Sequence, residues 1–238
     1  EPLKEHLTDI SELVVKEQAD VGIVVDPDVD RLALVCEDGS MFGEEYTLVA
    51  CADYVLGKLG GGNTVSNLSS SRALRDVTEK HGGTYTASAV GEVNVVIKMK
   101  ETNTVIGGEG NGGIIYPASH YGRDSLVGVA LFLSHMATAN ISCKALRESY
   151  PSYFMSKNKI QLTPQIDVDK ILEIMATKYA NEEVNTIDGV KIDFESQWVH
   201  LRKSNTEPII RIYTESNSQL NADELAERFI TEIKEIIA

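Results

Sequence analysis

Short runs of aliphatic and β-branched residues alternate with longer amphipathic segments through most of the chain. The run Val21–Val25 predicts a buried strand, and a second strand is expected from Leu32 to Cys36 after a polar loop. Further strands are expected at 64–67, 84–87, 104–106 and 114–116, and helices at 44–58, 71–81, 92–100 and 123–139. Alternating strands and helices predict a mixed, largely parallel sheet with flanking helices, an α/β fold.

The pattern changes near residue 150, where strands begin to follow one another directly. The expected strands are 154–162, 190–194, 197–201 and 208–213, and the expected helices are 167–180 and 221–237. Several strands in succession between two helices predict a separate C-terminal α+β domain. We therefore divide the chain into residues 1–42, 43–150 and 151–238, with a linker near residues 149–152.

Composition narrows the class of protein. There are 22 lysines and arginines against 36 aspartates and glutamates, a net charge of −14, which argues against a nucleic-acid or membrane-surface partner. No apolar run approaches the roughly 18 residues of a membrane span. The three cysteines are widely spaced and odd in number, so we expect reduced thiols in a cytoplasmic protein.

The first polar loop, at residues 26–31, follows the first strand and has the sequence D-P-D-V-D-R. Its carboxylates, Asp26, Asp28 and Asp30, stand at alternate positions and can converge on one hard cation such as Mg²⁺ or Ca²⁺. Without a cation they would repel one another strongly. An acidic surface turn is the alternative interpretation.

The second loop, at residues 107–113, is rich in glycine and fits the pattern G-x-G-x-x-G. A dinucleotide site requires a helix directly after that pattern, whereas a strand ending at Pro117 is expected here. The loop brings one carboxylate, Glu109, and one amide, Asn111, to a backbone that a ligand can approach closely. Such groups suit sugar hydroxyls, although a purely structural turn is also possible.

The third loop, at residues 202–208, gathers cations, hydroxyls and an amide between two strands, with Arg211 just beyond it. Backbone N–H groups and arginines in such a turn suit a phosphate group, and a solvated β-turn is the alternative. Together, a cation loop, a hydroxyl-binding loop and a phosphate loop indicate a phosphosugar enzyme that uses a divalent metal.

The three loops resemble motifs of the α-D-phosphohexomutase family, which comprises phosphoglucomutases, phosphomannomutases and phosphoglucosamine mutases. The family's metal loop D-G-D-x-D-R is similar to residues 26–31, and its sugar loop G-E-x-S-G to residues 108–112. Its phosphate loop R-x-S-N/G-T-x-P, followed by Arg, is similar to residues 202–208 with Arg211. Asn111 replaces the serine of the family pattern, which alters the reach of that side chain.

The resemblance implies a role for each motif residue. The implied Mg²⁺ ligands are Asp26, Asp28 and Asp30. Arg31 would act catalytically, near the transferred phosphoryl group, and Glu109 and Asn111 would bind sugar hydroxyls. The implied ligands of the non-reacting phosphate are Arg202, Ser204, Asn205, Thr206 and Arg211.

The family interconverts hexose 1-phosphates and 6-phosphates through a bisphosphate intermediate and a phosphoserine in a T-A-S-H-N-P loop. This chain has no such loop, since Ser88 and Ser119 lack the following Asn-Pro and lie after the metal loop. The chain therefore resembles the C-terminal half of the family: the end of domain 2, then domains 3 and 4. We expect it to need its missing N-terminal half as a partner and to be inactive alone.

Two other functions are compatible with the same loops. One is an Mg²⁺-dependent phosphosugar phosphatase, which would use an aspartate as nucleophile; here Arg31 occupies the wrong place for the usual D-x-D-x-T pattern. The other is a non-catalytic module that binds sugar phosphates.

Overall fold

The computed structural model describes residue 2 and residues 4–163, 166–204 and 207–237. It divides into two compact units, Glu1–Pro151 and Ser152–Ala238. The further division of the first unit near residue 42 stays a prediction.

The first unit opens with a two-stranded hairpin that carries the metal loop. A 3-10 turn, Lys4–His6, and helix α1, Thr8–Glu17, precede strands β1, Val21–Val25, and β2, Leu32–Cys36. The strands are antiparallel, with Val25 opposite Leu32, so residues 26–31 form the connecting loop. Every residue of β2 is buried, which anchors one end of this loop in the core.

A four-stranded sheet follows in the same unit. Its strands are β3, Asn63–Asn67, β4, Tyr85–Ser88, β5, Thr104–Glu109, and β6, Gly113–Ile115, in the order β4-β3-β5-β6. β3 is parallel to both β4 and β5, whereas β6 is antiparallel to β5. The remaining helices are α2, Glu44–Leu59, α3, Ala73–Lys80, α4, Glu92–Glu101, α5, Ser125–Ala139, and α6, Cys143–Glu148.

This topology determines where a ligand can approach. β4 and β5 lie on opposite sides of β3, so the chain changes direction there. In open α/β sheets, ligands bind outside the carboxyl ends of the strands at such a switch point. Asn67 ends β3 and Glu109 ends β5, so both side chains lie at this position.

Burial of α2 holds the first unit together. Ala50, Cys51 and Ala52 are completely buried, and the nearby polar residue Asp53 accepts hydrogen bonds at both oxygens. His81 Nε2 lies 2.6 Å from its Oδ1, and the Tyr150 hydroxyl donates to Oδ2 over 3.1 Å. Asp53 thus ties helix α2 to the end of α3 and to the last residues of the unit.

The second unit is an antiparallel sheet covered on one face by two helices. Its strands are β7, Phe154–Gln161, β8, Glu183–Asn185, β9, Val190–Asp193, β10, Trp198–Lys203, and β11, Ile209–Ser216, in the order β7-β11-β10-β9-β8. Its helices are α7, Val168–Lys178, and α8, Gln219–Ile237. Val199, Leu201, Ile210 and Ile212 point into the core with Phe229 of α8.

The predicted fold class is confirmed: a largely parallel α/β sheet with flanking helices, then an α+β arrangement. The 3-10 turn and the elements α1, α6 and β8 were not predicted. The turn, α6 and β8 have only three to six residues, whereas α1 has ten and carries Ile10, Leu13 and Val14 at helical spacing, a pattern that the prediction did not use. Strand β5 continues to Glu109, beyond the predicted end at residue 106. No helix in the described part of the chain combines the length and apolar character needed to cross a membrane.

Candidate functional site

The metal loop brings its three carboxylates together. One oxygen each from Asp26, Asp28 and Asp30 lies within 4.8 Å of the other two. The loop fixes Asp26 itself, because Oδ1 of Asp26 accepts backbone N–H groups of Asp30 over 3.1 Å and Arg31 over 3.0 Å. This arrangement holds the first carboxylate at the base of the hairpin and leaves Asp28 at its exposed tip.

A strained backbone conformation shapes the same loop. Val29 has φ of 60°, a left-handed conformation that a β-branched residue rarely adopts. Its carbonyl oxygen accepts a hydrogen bond of 2.8 Å from the hydroxyl of Ser125, the first residue of α5. The loop is therefore held by a neighbouring helix as well as by its own hairpin.

The electrostatics of the loop favour a cation. Burial raises the pKa of Asp30; Arg123 opposes the increase, while the carboxylates of Asp26 and Asp28 reinforce it. Burial also acts to raise the pKa of Asp26, but hydrogen bonds from the Arg31 and Asp30 amides outweigh it, and that pKa is lowered.

Oδ1 of Asp30 is buried and accepts no hydrogen bond from any described residue. The Arg31 guanidinium lies near, with Nε 3.7 Å from Oδ2 of Asp26 and 3.8 Å from Oδ1 of Asp30. Clustered carboxylate oxygens, one of them buried without a hydrogen bond, are the donor set that a hard divalent cation takes. The residues present therefore fit Mg²⁺.

The carboxylate of the glycine-rich loop is buried and hydrogen-bonded at both oxygens. Glu109 is 6% exposed, and its Oε1 accepts the side-chain amide of Asn67 over 2.9 Å. Its Oε2 lies 3.3 Å from Nη1 of Arg123. Both contacts fix the direction of the carboxylate while leaving lone pairs for a ligand hydroxyl.

Arg123 connects this carboxylate to the metal loop. Its Nη2 forms a direct ion pair with Oδ2 of Asp30, and its Nε lies 3.2 Å from Oε2 of Glu92. The other Glu92 oxygen accepts the Arg123 backbone N–H over 3.1 Å. One guanidinium therefore joins the metal loop, the glycine-rich loop and the start of α4 in a single cluster.

Sequence reasoning did not assign roles to Arg123, Glu92 or Asn67. Each nevertheless carries a local signal: Asn67 ends a strand, Glu92 begins a helix after Gly91, and Arg123 directly precedes the N-cap of α5. Polar residues at such boundaries are candidates for a site built at the edge of a sheet.

The glycines of the second loop allow its backbone to pack closely against neighbouring side chains and backbone. A Cβ on Gly110 would lie 1.9 Å from Oε2 of Glu45, and one on Gly112, with φ of +84°, would lie 2.3 Å from the carbonyl oxygen of Leu32. The Leu32 N–H donates to the Gly112 oxygen over 3.0 Å. Asn111 accepts the Gly113 N–H at Oδ1 over 3.2 Å, so its amide is oriented by the loop.

The third loop joins β10 to β11, and Arg202 on one strand lies directly opposite Arg211 on the other. Nε of Arg202 lies 2.9 Å from Oδ2 of Asp188, and the Ser204 N–H donates to the Ile209 carbonyl oxygen over 3.1 Å. Asn205 and Thr206 lie outside the described residues. Arg211, two strand positions beyond Ile209, lines a cavity on the sheet that Glu207 of the same loop also lines.

Comparison with known proteins agrees with this architecture. Residues 1–39 match the model of phosphoglucomutase/phosphomannomutase alpha/beta/alpha domain II, residues 43–153 that of domain III, and residues 159–232 that of the C-terminal domain. The chain belongs to the phosphoglucomutase/phosphomannomutase family, the α-D-phosphohexomutases.

Individual relatives are similar over the whole chain. It is 34% identical to a phosphoglucomutase/phosphomannomutase of Thermococcus kodakarensis and 32% identical to a phosphoglucosamine/phosphogalactosamine mutase of Sulfurisphaera tokodaii. Each alignment covers 100% of this chain and 52% of the relative, so the chain spans about half the length of these curated relatives. A Burkholderia thailandensis family protein of known structure is 25% identical, with a TM-score of 0.82 over 97% of this chain and 50% of its own.

Proposed function

We propose that this chain is part of a phosphohexomutase that interconverts hexose 1-phosphate and hexose 6-phosphate through a bisphosphate intermediate. The observation that carries the proposal is the cluster in which Arg123 joins Asp30 of the metal loop to Glu109 of the sugar loop. A phosphoryl-transfer site and a hydroxyl-binding site are then adjacent, as an enzyme that acts on a phosphosugar requires.

The metal loop would hold Mg²⁺ through Asp26, Asp28 and Asp30. When bound, Mg²⁺ supplies positive charge that neutralises the transferring phosphoryl group. Arg31, which lies against two of these carboxylates, adds guanidinium N–H donors suited to phosphoryl oxygens. In this proposal the nucleophile is a phosphoserine in a segment that is not part of this chain.

The sugar loop would orient the hexose. Glu109 is held in place by Asn67 and Arg123, and a fixed carboxylate accepts hydroxyl hydrogens without first paying the entropy of ordering its own side chain. Asn111 offers an amide beside it. The names of the relatives, which include glucose, mannose, glucosamine and galactosamine phosphates, support a hexose phosphate as the substrate class.

The test requires the longest coding sequence that contains this chain. We expect it to encode a T-A-S-H-N-P-type loop upstream, and its product to convert glucose 1-phosphate to glucose 6-phosphate with glucose 1,6-bisphosphate and Mg²⁺. Asp28→Asn should lower kcat by about 100-fold or more, the typical effect of removing one element of charge stabilisation, whereas Asp20→Asn, an exposed carboxylate outside the loop, should not.

Release of inorganic phosphate in place of the isomeric sugar phosphate would instead favour the phosphatase. The chain of 238 residues alone should give no turnover with the same substrates.

A further inference from the structure

Two of the three cysteines lie against each other in the first unit. Cys36 is the last residue of β2, and Cys143, far away in the chain, is the first residue of α6. Their side chains are in hydrogen-bond contact, each is no more than 1% exposed, and both thiols are free. Neither cysteine belongs to the metal loop or the glycine-rich loop, so the proposed function does not account for their contact.

Neighbouring residues fix the position of the two thiols. The Glu37 carboxylate accepts the backbone N–H of Lys144 over 3.0 Å, and Nζ of Lys144 lies 2.6 Å from Oδ2 of Asp38. The same Glu37 carboxylate accepts a hydrogen bond from Ser142, the N-cap of α6. These contacts lie on both sides of the pair, so the end of β2 and the start of α6 hold the thiols together.

The contact gives the two thiols different acidities. The Cys143 thiol donates to Cys36 and the Ser40 hydroxyl does the same, so the pKa of Cys36 is lowered although burial and two neighbouring carboxylates oppose the change. The same contact, together with burial, raises the pKa of Cys143. Burial raises the pKa of the third cysteine, Cys51, to about 12. Because the thiolate is the nucleophile in disulfide exchange, Cys36 reacts first and Cys51 is inert.

We propose that Cys36 and Cys143 are an oxidation site, at which a small disulfide such as oxidised glutathione converts the two thiols into a bond between β2 and α6. The Cys36 thiolate attacks one sulfur of the small disulfide and releases its first thiolate. Cys143 then loses its proton and attacks the Cys36 sulfur of the mixed disulfide, which releases the second thiolate. Two protein thiols are oxidised, one small disulfide is reduced to two thiols, and the two protons pass through water to the released thiolates.

The position of the pair determines the effect of the bond. Cys36 lies in the segment that matches the domain II model and Cys143 in the segment that matches the domain III model, so the bond joins the two within one compact unit. It closes a loop of about 100 residues, which restricts the unfolded chain. Because both thiols are buried, the reaction requires local opening of α6, a helix of only 6 residues.

The test is incubation of the folded chain with oxidised glutathione, followed by measurement of the intact mass and by peptide mapping without reduction. We expect a loss of two hydrogen atoms, one cross-linked peptide pair that contains Cys36 and Cys143, and reversal by a thiol reductant. The bond should raise Tm by about 5–10 °C.

Single variants separate the roles of the three cysteines. Cys51→Ser is the matched control and should form the same bond at the same rate. Cys143→Ser should stop at the mixed disulfide, with one glutathione on Cys36, whereas Cys36→Ser should form neither product. In urea the wild type should also react at Cys51, because unfolding removes the burial that protects this thiol.

Three results would overturn the proposal: thiols that stay reduced in the folded wild type, a bond in the folded chain that includes Cys51, or the same products in Cys36→Ser as in the wild type. Peptide mapping of the wild type locates the bond even where a serine variant does not fold. The thiol chemistry does not rest on the proposed function. If the bond forms while the longer protein shows no mutase activity, the oxidation site stands and the mutase assignment fails.

Discussion

At the scale of single residues, Arg123 has the largest influence on the candidate site. Its guanidinium faces Asp30, Glu92 and Glu109, and its side chain is only 16% exposed. Removing one partner from a buried charge cluster leaves the others desolvated without compensation, which costs about 3–5 kcal/mol in fully buried cases. The partial exposure of Arg123 places its contribution somewhat below that range.

We therefore expect Arg123→Gln to lower the free energy of unfolding by about 2–3 kcal/mol, measured by urea denaturation. Mg²⁺ should raise the stability of this variant more than that of the wild type, because a bound cation replaces part of the lost positive charge beside Asp30. Arg75→Gln, a partly buried arginine of α3, is the matched control. Equal stability of the two variants, with and without Mg²⁺, would contradict this role for Arg123.

At the scale of elements, strand β10 stabilises the turn that precedes β9 in the second unit. The turn before β9 is held twice by this strand: Nε2 of His200 hydrogen-bonds to the Asp188 carbonyl oxygen over 2.7 Å, and Arg202 pairs with the Asp188 carboxylate. His200 is 1% exposed. Burial lowers the pKa of His200 to about 4, although the Asp188 carbonyl opposes the change.

A depressed histidine pKa makes the folded state prefer the neutral ring. The stabilisation is complete above the unfolded pKa of about 6.5 and decreases as the pH falls towards 4, by about 3 kcal/mol in total. Urea denaturation between pH 7 and pH 4 should show this loss in the wild type and a smaller loss in His200→Gln. His6→Gln, at a histidine whose side chain is 60% exposed, should follow the wild type; identical pH dependence in His200→Gln would contradict the assignment.

Local patterns predicted the main elements but not how the loops meet. Runs of β-branched residues predicted most strands. The predicted end of β5 was too early because Gly107 and Gly108 are typical of loops. In the fold these glycines allow backbone contact: a Cβ would lie 2.6 Å from the Val65 oxygen at Gly107 and 2.0 Å from the Gly113 oxygen at Gly108. Such close packing depends on the neighbouring strands, which periodicity within one segment does not specify.

The candidate site, like the fold, was predictable only where the residues concerned are close together in sequence. The carboxylates of the metal loop are adjacent in sequence, so their convergence follows from local geometry. The ion pair between Asp30 and Arg123 joins residues far apart in the chain, and only the assembled sheet brings them together. In the predicted phosphate loop, Arg202 and Arg211 lie directly opposite each other on β10 and β11, and the ion pair between Arg202 and Asp188 is the contact that the sequence alone did not indicate.

At the scale of the whole molecule, two compact units carry different parts of one proposed reaction. The first contains the metal loop, residues 26–31, and the glycine-rich loop, residues 107–113, and the second contains the predicted phosphate loop. The chain spans about half the length of its curated relatives. In the proposed reaction, this chain therefore supplies the metal ligands, the sugar contacts and the ligands of the non-reacting phosphate. A segment outside the chain supplies the nucleophile.

The metal loop is the centre of this account, and titration of the chain with Mn²⁺, followed by calorimetry and electron paramagnetic resonance, tests it directly. We predict one saturable site, weakened about tenfold or more in Asp28→Asn because the number of charged ligands sets the affinity of such sites, and unchanged in Asp20→Asn. The absence of a saturable site, or equal affinity in the two variants, would contradict it.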